Sequence, residues 1–308
     1  MAKPDVQETV IALAVADLHL GDTVPVARSA ESDWEQCQIR SLKQLCKYQI
    51  RYDCPVLICG DLFDKPAVQP WCVNMALRHL PQRCYGIPGN HDLKNHNYAD
   101  IRLSSFWTLV EAERLTLVEP GRPKEIEGPR PIRLHGFPCG FAVKPLSQPH
   151  DLFVEVALVH DYLWISEKTG YPGAPKDKWF EFRVEDLVGY DVAFFGDNHH
   201  SFVETNVMNC GCLQRRKSDE KNLTPCVGLL WSDGSITRKK LDTREDRWID
   251  NVADAEVLAG ADSTEFIREL ESLGDAALDY AAAVKRRLAN GVSKECREVV
   301  LRCLEGKK

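Results

Sequence analysis

No apolar run in this 308-residue chain approaches the roughly 20 residues that a membrane-crossing helix needs. Residues 1–8 alone precede the first apolar stretch, which leaves no room for a charged segment and a signal core. The expectation is a soluble, cytoplasmic protein with no membrane partner. A surplus of positive charge is also missing, since 39 Lys and Arg face 46 Asp and Glu, a formal net charge of −7. That weighs against a broad nucleic-acid-binding face. Two bound dications would bring the sum to −7 + 4 = −3 and would put the positive charge where a phosphate docks, so a nucleic-acid substrate stays open. No internal repeat and no low-complexity segment occurs, which sets repeat arrays aside. What is present suits a packed protein: 44% apolar residues can build a large core, and 28% charged residues argue against wholesale disorder. The twelve cysteines fall on buried-strand and apolar helix positions such as Cys37, Cys46 and Cys59, so they read as reduced, small apolar side chains.

Residues 9–16 read as a buried strand ending on Asp17. Ser32 and Glu35 have capping-box spacing, and Trp34, Cys37, Leu42, Leu45, Cys46 and Ile50 then keep helical spacing. Residues 55–59 form a second strand pattern closing on Gly60 and Asp61, and Pro70 opens a second helix. A short strand at 85–87 runs into Gly89-Asn90-His91-Asp92. Strand–helix alternation predicts α/β architecture with a largely parallel sheet, in which ligands sit beyond the carboxyl ends of the strands. Asp17, Asp61 and Asn90 all fall at such ends. Further strands are expected at 115–118, 132–136, 153–160 and 192–196, with a hairpin at 226–231 and 235–241 turned on Asp233-Gly234. These suggest a second, more antiparallel sheet. From about residue 254 the pattern is helical, so a catalytic domain at 1–250 and a small helical appendage at 251–308 are expected.

Five short motifs follow one another: Asp17-Leu18-His19, Gly60-Asp61-Leu62-Phe63-Asp64, Gly89-Asn90-His91-Asp92, Val159-His160-Asp161 and Gly196-Asp197-Asn198-His199. Each supplies oxygen or imidazole donors for hard or borderline cations. A carboxylate such as Asp61 has two oxygens and can bridge two ions. Any one of these motifs alone is weak, but the ordered set at strand ends is not.

In this order the motifs resemble those of the calcineurin-like metallophosphoesterase superfamily over about residues 12–241, three quarters of the chain. The resemblance implies a four-layer α/β/β/α sandwich of two mixed sheets. It implies one cation on Asp17, His19, Asp61 and His199, and a second on Asp61, Asn90, His160 and Asp197. A hydroxide held between them would attack phosphorus, and His91 would protonate the leaving oxygen. Within the superfamily, Gly60-Asp61-Leu62-Phe63-Asp64-Lys65-Pro66 and the segment from Asn209 through Arg215-Arg216 to the hairpin look most like SbcD-type nucleases. That implies a DNA exo- or endonuclease, an SbcC-like coiled-coil ATPase as partner, and an SbcD-type homodimer.

Three departures qualify this reading. Asp197 stands where the family usually has histidine, giving three carboxylates that favour Mn²⁺, then Mg²⁺, over Zn²⁺. Asp64 replaces a histidine that helps position substrate in many SbcD-type nucleases. Cys210, Cys212 and Cys226 could suggest zinc but lack a fourth ligand at finger-like spacing. Asp64, His96, Arg215 and Arg216 are weaker substrate-contact candidates, each with a plain surface-loop alternative. His200 reads as a bystander and His135 as a buried, satisfied side chain, while Asp161 either orients His160 or faces solvent. The alternative function is a phosphodiesterase or phosphatase for small molecules or cyclic nucleotides on the same two cations.

Overall fold

The computed structural model describes residues 8–171 and 173–249. Among these residues, twelve strands lie in two sheets. The first sheet takes β1 (Val10–Val15), β2 (Val56–Cys59), β3 (Cys84–Ile87) and β4 (Leu115–Leu117), all parallel, and it is extended beyond β1 by the later strands β11 (Cys226–Trp231) and β12 (Ile236–Lys240), both antiparallel to their neighbours. The second sheet has order β5 (Lys124–Ile126), β6 (Ile132–Phe137), β7 (Val154–His160), β8 (Val192–Gly196), β10 (Val207–Asn209), β9 (Phe202–Glu204). Its four central strands are parallel, and only the edges β5 and β9 run antiparallel.

Alternation along the strands builds the layers. Leu13, Val15, Val56 and Ile58 face the helices α1 (Trp34–Tyr52), α2 (Pro70–His79) and α3 (Ser105–Glu111), packing on Leu42, Leu45, Met75 and Phe106. Their neighbours Ala12, Ala14, Leu57 and Cys59 face Leu134, Val156, Leu158 and Phe194 of the second sheet. The far side of that sheet presents Ala157, Val159, Ala193 and Phe195 to Leu163, Leu187 and Tyr190, below the short α4 (Phe180–Arg183). The result is an α/β sandwich of two mixed six-stranded sheets flanked by helices, as expected. β1, β2 and β8 are apolar without interruption because both of their faces are covered, and β7 departs from this only at Glu155 and at its last residue, His160.

Three expectations need correction. The 226–241 hairpin closes the first sheet, not the second, and the second sheet is parallel at its centre. The α1 cap is Asp33, whose carboxylate accepts from the Gln36 N–H at 3.0 Å; Ser32 lies one residue too early. α3, β5, β9 and β10 were not anticipated. The ten described cysteines are unpaired. No helix among the described residues is long and apolar enough to cross a membrane. The expected helical appendage at 251–308 lies outside the described residues.

Candidate metal centre

All five motifs end at the same edge of the sandwich. β1 delivers Asp17 and His19, β2 Asp61, β3 Asn90 and His91, β7 His160, and β8 Asp197 and His199. The β1–β2 pairing continues past the strands, with the Asp17 N–H on the Gly60 carbonyl at 3.1 Å and the His19 N–H on the Asp61 carbonyl at 2.9 Å. Asp17, His19, Asp61 and Asp197 all have left-handed backbone, at φ 49°, 42°, 51° and 82°. This conformation turns each side chain out of the strand register, and Asp and His are among the residues that tolerate it best. The buried Asp92 carboxylate ties the β2 and β3 loops together by accepting from the N–H groups of Leu62 (3.1 Å), Phe63 (2.9 Å) and Gly89 (3.0 Å). Two glycines make room: a Cβ on Gly60 would strike the His160 ring, and one on Gly89 would strike the Asp61 carboxylate.

The donor atoms form two groups that share acidic residues. Asp17, His19 and His199 bring ligand atoms within 4.8 Å of one another, as do Asp17, Asp61 and His160. Asp61 spans both: Oδ2 lies 3.8 Å from His19 Nε2, and Oδ1 lies 3.4 Å from His160 Nε2. Asn90 Oδ1 stands 2.9 Å from His160 Nε2. The outer edges of two imidazoles are held, His160 Nδ1 by the Cys59 carbonyl at 2.7 Å and His199 Nδ1 by Glu220 Oε1 at 2.5 Å, which points each Nε2 lone pair inward. His19 and His199 meet Nε2 to Nε2 at 3.2 Å. Two imidazole nitrogens sharing one cation at about 2.0–2.2 Å would lie about 3.0–3.4 Å apart, so this spacing fits a shared ion. Divalent cations at these positions would polarise a phosphate oxygen and make water nucleophilic near neutral pH.

The charges fit the same purpose. Burial pushes the Asp17 carboxyl up to about 7, with Asp61 and Asp197 adding to the rise. Burial also raises Asp197. For Asp61 burial is outweighed by the His160, His19 and His91 imidazoles, which hold it below the usual carboxylate range. Burial drives His19 well down. His199 resists burial and rises to about 9 because Glu220 faces it, and Glu220 in turn falls to about 2. Crowded carboxylates that resist ionisation are the expected signature of a pocket built for added positive charge.

Asp197 joins the wall through its backbone, whose N–H donates to both Asp17 oxygens at 3.1 and 3.2 Å; its carboxylate stands outside the two donor groups above. The His91 N–H donates to Asp61 Oδ1 at 2.9 Å, and its ring Nδ1 lies 2.8 Å from the Asp64 carbonyl, which leaves Nε2 toward the opening. The Asp64 carboxylate is joined by two contacts to the Arg216 guanidinium. Arg215 is buried, with its guanidinium on the carbonyls of Lys221 and Leu223 (3.1 Å to the latter) and on Asp246 at 2.8 Å, beside the Trp248 ring. His96 is exposed in the loop beyond His91. Asp161 binds Lys178 and Arg183 and does not orient His160. His135 is satisfied by Glu155 at 2.7 Å. Cys212 lies beside His199 and Glu220, but burial keeps its thiol protonated. A third donor cluster, Glu31, Cys37 and Asp246, already surrounds a cation: Arg28 Nη2 lies 2.6, 2.9 and 3.3 Å from them. Sequence reasoning missed Glu220 and the role of Asp92. Asp92 sat inside a motif already noted; Glu220 had no local signal.

Comparison with known proteins agrees at the level of family. The family model for calcineurin-like phosphoesterases matches residues 12–201. Similar solved structures include a putative 5'-nucleotidase from Staphylococcus aureus, at 13% identity and TM-score 0.47, covering 82% of this chain and 58% of that one. The calcineurin-like phosphoesterase YfkN from Bacillus subtilis has 13% identity and TM-score 0.46, covering 85% of this chain and 99% of that one. A 5'-nucleotidase precursor from Thermus thermophilus has 14% identity and TM-score 0.40, with 82% and 58% covered. The chain thus spans less than two thirds of either nucleotidase. No curated protein matches it. With the family model matching more than half of its length and the motif residues gathered at one edge of both sheets, the chain belongs to the calcineurin-like phosphoesterase family.

Proposed function

We propose that this phosphoesterase hydrolyses a small phosphate mono- or diester at a site for two divalent cations. One observation favours a small ester over a long nucleic acid. The basic pair that would track a DNA backbone is engaged within the protein: Arg215 inside its own loop, and Arg216 on Asp64. Asp17, His19, Asp61 and His199 would hold one cation. Asp61, Asn90 and His160 would hold the other, with Asp197 beside them. Carboxylate, amide and imidazole donors without thiolate support Mn²⁺ ahead of Mg²⁺ and Zn²⁺.

The chain's own groups have distinct tasks in this reading. Asp61 sets the spacing of the two donor groups and holds His91 in place through the backbone N–H. The Asp64 carbonyl accepts from His91 Nδ1–H, so the proton that reaches the leaving oxygen is carried on Nε2. Covered walls exclude bulk water from Asp17, His19, Asp61 and His160, which are almost fully buried, while Asn90, Asp197 and His199 are half-buried.

The DNA exo- or endonuclease reading, with its SbcC-like partner and homodimer, keeps one supporting feature: Arg238, Lys239 and Lys240 are exposed on the edge strand β12. A Mn²⁺ assay over single-stranded DNA, duplex DNA, cyclic nucleotides and para-nitrophenyl mono- and diesters separates the two. Turnover of small esters with slow DNA cleavage is expected. DNA cleavage outpacing every small ester would overturn the proposal.

A further inference from the structure

A cavity of about 680 Å³ opens beside the metal-ligand wall, lined by Phe141, Lys176, Lys178, Phe182 and Arg183 with Asp161 at its base. Its volume suits a small-molecule group. Three observations place it near the ligand side chains. Asp161 directly follows His160. Cys139, two residues before Phe141, lies within electrostatic reach of His160, Asp197 and Asp61. The Phe141 ring also meets Tyr98 edge to face at 5.1 Å, and Tyr98 belongs to the loop that carries His91.

The chemistry of the cavity selects what it can hold. Phe141 and Phe182 are 39% and 65% exposed, so two phenyl rings stand open to solvent at the mouth of a polar site. Of the charged groups lining the cleft, Lys178, Arg183, Asp161 and Asp186 are already matched, while Lys176 and Asp177 are exposed. Asp161 holds Lys178 at 2.7 Å and Arg183 at 2.9 Å, and Arg183 also binds Asp186 at 3.1 Å. A second phosphate or a carboxylate could reach Lys178 or Arg183 only by breaking these pairs. A neutral planar ring would break none of them, and it would cover the open phenyl groups.

Resting on the small-ester reading above, we infer that this cleft receives a neutral, planar heteroaromatic ring carried by the phosphate ester, stacked on Phe141 and Phe182. Its substrate class is then a nucleoside phosphate. The two phenylalanines are specificity residues and take no part in the chemistry.

The test compares adenosine 5'-phosphate with ribose 5-phosphate, each as the monoester and as its methyl diester. The paired compounds share the same primary ester and differ only in the ring. Steady-state kinetics with Mn²⁺ are run on the intact protein, Phe182→Ala and Phe141→Leu; the latter keeps an apolar contact for Tyr98. We expect the wild type to prefer the adenosine compound by about tenfold in kcat/KM, the scale of one base–aromatic stack. That ratio should fall toward one in both variants, mainly through KM. A wild-type ratio near one, or a ratio equal in all three proteins, overturns the inference while leaving the small-ester reading intact. Turnover of neither ester type overturns both.

Discussion

Replacing Glu220 with Gln isolates the contribution of a residue that never touches substrate. Its carboxylate accepts on both oxygens, from His199 Nδ1 at 2.5 Å and from the backbone N–H groups of Arg216 and Lys217 (2.9 Å to the latter). An amide has one accepting atom, so in either orientation an NH₂ group faces a donor. Loss of such an outer partner typically lowers metal affinity by about 10–100-fold. A second effect opposes it. In the metal-free protein His199 rises to about 9, so at pH 7 a cation must displace its proton. Two pH units correspond to about 2.7 kcal/mol, or about 100-fold in affinity. Removing Glu220 removes most of that penalty. At pH 9 the variant should therefore bind Mn²⁺ about 10–100-fold more weakly than the wild type, whereas near pH 7 the gap should narrow. Calorimetric titration of chelator-stripped protein in two buffers of different ionisation enthalpy reads affinity and proton release together. Near pH 7 the wild type should release about one more proton per cation bound than the variant. Equal affinity at pH 9 together with equal proton release would refute the reasoning.

Three further outcomes are expected. His91→Ala should retain its metal content, measured by elemental analysis, and lose about 10²–10⁴-fold in kcat, because the ring supplies a proton and no ligand; unchanged turnover would remove His91 from the chemistry. Gly89→Ala should push the Asp61 carboxylate and His160 out of place, and about a 10²-fold loss of activity with weakened metal retention is expected in a protein whose circular dichroism is preserved. Glu31, half-buried against Arg28 and Arg40, is held below its ordinary value near 4.5 because the hydrogen bonds from Arg28, the Arg247 N–H and Arg40 outweigh burial. Its stabilisation is fully present above about pH 4.5 and is lost as the pH falls through the lower folded value. Glu31→Gln should thus cost about 1.5–3 kcal/mol in urea melts at pH 7, because Arg28 keeps its contacts with Asp246 and the Arg215 carbonyl, with a gap that shrinks in acid; a gap independent of pH would contradict the assignment.

The legibility of the fold followed the physics of each segment. β8 and β11 were readable to the residue because both faces are covered and their apolar runs stop abruptly at Gly196-Asp197 and at the turn after Trp231. β5, β9 and β10 have three residues each, too short to show alternation, and β5 follows a stretch dense in Pro and Gly. Pairing was less visible than strand existence. The 226–241 hairpin carries its turn in the sequence, but nothing in it states that β11 lies against β1. The residues gathered at the candidate metal centre were legible because each sits in a short motif at a strand end. Glu220 was not, since it reaches His199 across 21 residues through a turn with no apolar rhythm. Arg215 and Arg216 looked alike as neighbours in the chain, and only the packing sends one onto Trp248 and the other to Asp64.

The left-handed turn at four of the ligand-bearing positions narrows the vocabulary available to mutation and design. A replacement there must offer a suitable donor atom and also accept a backbone angle that strains β-branched side chains. Asp, Asn and His meet both demands most readily. Asp197, at a position where the motif resemblance implies histidine, is then an exchange within a small alphabet. Reversal of that exchange should be tolerated by the scaffold, leaving cation preference as the property free to drift.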